Sequence, residues 1–143
     1  MKEENIKYDD NESIIYHLIP ESDLRNMTQA EYFIPSGFEK DGFIHCTAEP
    51  EVARVVAHSY YSELDERLYI LRLNLSALES EVKFEAPSQN GDTGKEHLKM
   101  TDAFPHIYGP MNISAVIDAG EMVASEAGGG RKEFSWPEAF KPL

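Results

Sequence analysis

Asp41-Gly42-Phe43-Ile44-His45-Cys46-Thr47 sets a flexible turn, an apolar pair, an imidazole, a thiol and a hydroxyl in consecutive positions. A β-strand alternates its side chains between faces, so Ile44 and Cys46 share one side and His45 and Thr47 the other. With Ile44 and Cys46 toward the core, His45 and Thr47 face a groove or solvent, where they can meet a polar ligand. Asp41-Gly42 lets the backbone approach such a ligand closely. Alternation sets Cys46 opposite His45, which argues against a Cys–His dyad. Free cysteines are mostly buried, and Cys46 reads as a packing residue.

Phe104-Pro105-His106-Ile107-Tyr108-Gly109-Pro110 repeats the arrangement, with His106 and Tyr108 on one face and Ile107 on the other. The prolines stiffen this ribbon and Gly109 permits a tight turn. A flat tyrosine ring there can stack on a base. Glu85 closes the short alternating run Val82-Lys83-Phe84-Glu85 and can serve as a base or a hydroxyl clamp. A neutral imidazole both donates and accepts, which suits a ribose hydroxyl or a proton transfer. Each residue also has a structural reading: a satisfied core histidine at 45, a backbone-capping corner at 106–108, a solvated glutamate at 85. The five histidines are scattered, without an H-E-x-x-H pattern or paired cysteines, so no metal site is expected.

Working outward, Ile14 to Ile19 reads as a strand ended by Pro20, and Ser22 as the N-cap of a helix running to about Ala30. Tyr32 to Ser36 is extended, confined by Pro35 to an edge or a loop. Gly37 to Gly42 reads as a turn and Phe43 to Cys46 as a second strand. Thr47 is a candidate cap for the main helix, roughly Glu49 to Ser62, whose Val52, Val55, Val56 and Tyr60 form one apolar stripe. Leu68 to Leu73 reads as a central strand, Ser76 to Leu78 as a turn of helix, and residues 87–102 as a long loop. Ile113 to Asp118 reads as the last strong strand, Gly128-Gly129-Gly130 as a turn, and Phe134 to Pro137 as a terminal flap. Short strands with one or two helices make an α+β fold, not a doubly wound one. Residues 1–12 are polar and expected to fray, leaving 13–143 as a single domain.

The 143 residues include 26 acidic and 13 basic side chains, a net charge of −13. That field repels nucleic-acid phosphates, and no basic stripe counters it, so no DNA partner is expected. No apolar run approaches the ~20 residues of a membrane helix. The N-terminus lacks a signal-peptide layout, and one cysteine suits a reducing compartment, so a cytoplasmic location is expected. Nothing specifies a macromolecular partner.

Ile15-Tyr16-His17, the Asp41–Thr47 block, the Leu68–Leu73 strand, Phe84-Glu85 and the Phe104–Pro110 block occur in this order over roughly residues 13 to 124. In this the chain resembles the bacterial domain-of-unknown-function family numbered 952. The resemblance implies an ADP-ribosyltransferase-like fold, similar also to RNA 2′-phosphotransferases. Such a fold has a mixed, split β-sheet, one main helix, short helices, and a cleft for NAD or ADP-ribose. On that pattern His45 holds the NAD ribose, Tyr108 or His106 lines the nicotinamide side, and Glu85 or Glu121 is the polarising glutamate. The expectation is a nucleotide-binding cleft with ADP-ribosyl transfer or NAD glycohydrolysis as its chemistry. His45 and Glu85 would be catalytic, with Thr47, His106, Tyr108, Gly109 and Asp41 binding the ligand. No resident cofactor is expected, NAD being substrate or ligand. One rival is a non-catalytic binding or interaction module on the same fold. Another is an RNA 2′-phosphotransferase-like enzyme, which would need cationic groups such as Arg25, Arg54 or Arg72 beside the histidine.

Overall fold

The strand Leu68–Asn74 (β4) lies between Ile14–Pro20 (β1) and Val116–Glu121 (β8) in a computed structural model that describes residues 14–86 and 104–143. Leu68, Ile70, Leu71 and Leu73 are all buried. A strand flanked on both edges and covered on both faces must be apolar nearly throughout, which is how its sequence reads. Arg72 is the one charged residue in it. Its guanidinium pairs with both carboxylate oxygens of Asp118, at 2.8 and 2.7 Å, and stands 4.1 Å over the Phe140 ring.

The two faces of this sheet carry separate cores. Ile15, Ile19, Leu71 and Leu73 pack with Ile44, Cys46, Ile107 and Met111 on one side. Leu18, Leu68 and Ile70 pack on the other with Ala53, Val56 and Ala57 of the main helix, Pro50–Tyr61 (α3). Strand alternation therefore sets His17, between Ile15 and Ile19, on the first face.

A second sheet has the order β3-β6-β5, with β3 Ile44–His45, β5 Val82–Glu85 and β6 Phe104–Ile107. A pair of 2.8 Å backbone bonds between Tyr16 and Thr47 ties it to the central sheet. Tyr32–Phe33 (β2) pairs with Met111–Asn112 (β7), the edge pairing that Pro35 allows. Val123–Gly128 (β9) and Arg131–Ser135 (β10) form a hairpin turned by Gly128, Gly129 and Gly130, at φ of 95°, 63° and 77°. Left-handed backbone of this kind favours glycine. Every strand pairing among the described residues is antiparallel, where the resemblance implied a mixed sheet.

Local expectations hold in outline and shift at the ends. Glu21–Met27 (α1) begins directly after Pro20 without a side-chain cap. Ser22 is no N-cap, because its N–H and hydroxyl both go to Glu66, a partner 44 residues away. The expected turn at 37–42 contains a short helix, Phe38–Asp41 (α2), closed by Gly42 at φ 85°. Glu49, not Thr47, holds the N-cap position of α3. The last central strand begins at Val116 because Ile113–Ala115 forms a 3-10 turn. Asn112, buried beside that turn, accepts the Glu79 N–H and donates to the Ala77 carbonyl and Ser114 hydroxyl. The expected flap is present: Phe134 is buried and Trp136 meets Tyr16 edge-on, centroids 5.5 Å apart. The expected loop at 87–102 and the frayed residues 1–12 lie outside the described residues. No described helix is long and apolar enough to cross a membrane.

Candidate functional site

The register of β3 against β6 places Ile44 opposite Ile107 and His45 opposite His106. Both isoleucines are fully buried. Directly opposed residues share a face, so the two imidazoles stand together on the other side, edge-to-face with centroids 5.7 Å apart. Two histidines 61 positions apart in the chain thus become neighbours.

His45 is held from two directions. Its Nε2–H donates to Asp41 Oδ2 at 2.7 Å, an approach made when Gly42 turns the chain back from α2. Its main-chain carbonyl accepts the Nδ1–H of His17, also at 2.7 Å. A carbonyl only accepts, so His17 carries its proton on Nδ1, and in the neutral ring Nε2 is an acceptor. Burial pushes the His17 pKa from 6.5 down to about 4, partly offset by the carbonyl bond and reinforced by the nearby His45. His17 is therefore neutral at physiological pH.

His17, Asp41, His45 and Thr47 line one cavity of about 350 Å3, with Asp23, Tyr60 and Tyr61 on its walls. The Thr47 side chain is buried, and its Oγ1 has no hydrogen-bond partner among the described residues. Such an orphaned hydroxyl costs roughly 1–3 kcal/mol unless something bonds to it. Burial raises the Asp23 carboxyl pKa and the charge of Glu66 adds to the shift, against a lowering hydrogen bond from the Ser36 backbone N–H. The Tyr61 phenol is also raised, first by burial and then by Asp23.

A second cluster adjoins the first across the Phe43 ring. Phe43 stacks on His106 at 4.0 Å and 22°, and tilts against His45 at 4.7 Å and Tyr108 at 5.3 Å. His106 is 1% exposed, and its Nδ1–H donates to Glu85 Oε1 at 2.7 Å. The Tyr108 hydroxyl donates to the same oxygen at 2.6 Å. These two donors, Tyr108 first, hold the Glu85 pKa below its usual value. Lys83 Nζ stands 4.9 Å over the Tyr108 ring. Gly109 is tightly placed: a Cβ there would meet Ser80 Oγ at 2.5 Å.

The residues singled out from sequence thus fall into two groups. Asp41, His45 and Thr47 share the cavity. Glu85, His106, Tyr108 and Gly109 do not line it. Glu121, the other glutamate considered, pairs with Arg67 on the central sheet at 3.7 Å. Arg25, Arg54 and Arg72 are all away from the cavity lining and face Glu21, Glu51 and Asp118. No group of His, Cys, Asp or Glu among the described residues is arranged to hold a metal ion. Sequence reading missed His17, Asp23, Tyr60 and Tyr61. Only His17 carried a signal, as the one polar residue on the core-facing alternation of β1.

The geometry can be set against known proteins. A profile of the family described as "Protein of unknown function (DUF952)" matches residues 18–119. The crystal structure of protein CC0527 from Caulobacter crescentus is 22% identical, with a TM-score of 0.63 over 84% of this chain and 93% of that one. Its solution NMR structure is also 22% identical, with a TM-score of 0.60 over 83% and 90%. At that identity the likeness shows the fold alone, a single α+β domain. No curated protein matches the chain. The profile spans well over half of the sequence and takes in the strands that carry His45 and His106, and on that match the chain belongs to the DUF952 family.

Proposed function

We propose that the cavity binds NAD or a related nucleotide, on a fold of the ADP-ribosyltransferase type, with ADP-ribosyl transfer or NAD glycohydrolysis as its chemistry. The observation that carries this reading is the convergence of Asp41, His45 and Thr47 with His17 on one hollow of about 350 Å3. That volume sits at the lower end of small-molecule sites, roughly 300–1,000 Å3, and suits one nucleoside half of a dinucleotide. A ribose diol needs donors and acceptors side by side. The Thr47 hydroxyl offers both, and the neutral His17 ring offers an acceptor at Nε2.

His45 is the catalytic candidate on the cavity, oriented by Asp41 and by the His17 bond to its carbonyl. As a glycosidic bond breaks, positive charge develops on the ribose, and a fixed carboxylate such as Asp41 favours that state. Glu85 would act only on a ligand that extends past His45 toward Tyr108. Titrating the folded protein with NAD, and following nicotinamide release, tests the reading. Saturable one-to-one binding with product supports it; a folded protein that does neither ends it.

Binding without chemistry is the second reading, favoured by one observation: Glu85 is committed to His106 and Tyr108 away from the cavity lining. Intact NAD binding without turnover would select it. In an active protein, unchanged turnover in Glu85→Gln would remove Glu85 from the chemistry.

A further inference from the structure

Among the described residues, the side chains lining the cavity include two carboxylates, Asp23 and Asp41, and no lysine or arginine. Asp41 is engaged with His45. Asp23 has no basic partner among the described residues; its hydrogen bond comes from the Ser36 backbone, and Glu66 adds a second negative charge nearby. Around these carboxylates stand the rings of Tyr16, Phe43, Tyr60 and Tyr61. Thr47 supplies an independent observation on the same wall: a buried hydroxyl with no partner among the described residues, which a polar ligand atom could satisfy.

This inventory discriminates by charge. A phosphate brought into the cavity would meet two carboxylates and no counter-charge, inside a chain whose net charge is −13. A cation would meet those carboxylates and the negative faces of the surrounding rings, the arrangement that proteins use for quaternary ammonium groups. We infer that the cavity is a site for a flat organic cation, with Asp23 as its counter-ion and the aromatic rings as its walls. The inference deepens the nucleotide reading and rests on it for the identity of the cation: the N-ribosylated pyridinium end of NAD, with the phosphates left outside the described cavity.

Isothermal titration with two matched pairs of probes tests this. The pairs are 1-methylnicotinamide against neutral nicotinamide, and NAD against NADH. The charged member of each pair is expected to bind at least tenfold more tightly. Asp23→Asn should erase the preference, whereas Glu63→Gln, at an exposed carboxylate 4.0 Å from Arg131, should leave it intact. Added salt should weaken the cation and not the neutral ring, a readout that needs no variant. Equal affinity within either pair, or a preference that survives in Asp23→Asn, overturns the inference. Binding of 1-methylnicotinamide without NAD binding would contradict the nucleotide reading alone. NAD and NADH binding equally well would contradict the cation site alone.

Discussion

The Nδ1–H of His17 is donated to the main-chain carbonyl of His45 across 2.7 Å, so one buried ring fixes the strand that carries the other. The first strand of the central sheet thereby positions the second sheet, beside the backbone bridge from Tyr16 to Thr47. The Nδ1–H is present in both protonation states of the ring, so it is burial, and not this bond, that disfavours the charged form and couples this corner of the cavity to protonation.

Stability should fall in acid through His17. Its pKa is 6.5 as a free side chain and about 4 in the fold. Between those values the unfolded state binds more protons, so stability rises with pH. The contribution is complete above pH 6.5 and is lost as pH falls toward 4, a change of about 3 kcal/mol. Urea unfolding at pH 7 and pH 4 measures it. His17→Gln should flatten that limb of the profile, and an equal slope in both proteins would contradict the assignment.

Asp23→Asn should stabilise the protein at neutral pH. The folded state raises the pKa of this carboxyl, so the charged form is disfavoured by folding, and the native state loses stability as pH rises through that value. An asparagine removes the charge and keeps an acceptor for the Ser36 N–H. A higher thermal midpoint is expected, the gain kept modest by solvent screening of this partly exposed carboxyl. An unchanged or lower midpoint would contradict the burial argument.

Tyr108→Phe should raise the Glu85 pKa toward 4.5. The phenol is the first cause of its depression and His106 the second, so part of the shift should remain. A carboxyl carbon NMR titration of both proteins reads this directly. No movement would mean that the Tyr108 bond is not maintained in solution.

Phe43→Ala should separate the two clusters. The ring touches His45, His106 and Tyr108 at once, and its loss should cost about 2–3 kcal/mol for a partly buried aromatic with stacking partners. Chemical denaturation gives the cost, and imidazole chemical shifts report whether the His45–His106 geometry survives.

Much of this site was readable before the structure. Alternation in a strand is a local rule, and it set Ile44 and Cys46 in the core; Thr47, expected on a groove or solvent face, is buried as well, and all four residues border the cavity. The same rule grouped His106 with Tyr108, which now share one oxygen of Glu85. What stayed hidden depends on long-range contacts. Ser22 looked like a cap because Glu66, which takes both of its donors, lies 44 residues away. Asp23, Tyr60 and Tyr61 read as ordinary helix residues until the packing of α1 and α3 turned them to one hollow. Periodicity also could not show that Phe43 would divide the predicted residues into two groups.

Thr47 gives the sharpest test of the central claim, since its buried hydroxyl has no hydrogen-bond partner among the described residues. Thr47→Val keeps the shape and removes that group. The decisive measurement is calorimetric titration of NAD into the wild-type protein and Thr47→Val, with thermal midpoints recorded alongside. The cavity account predicts saturable wild-type binding, at least tenfold weaker binding in the variant, and a midpoint no lower than wild type, because removing an unsatisfied buried hydroxyl spares about 1 kcal/mol or more. Equal affinity in the two folded proteins, or no binding to either, would contradict it.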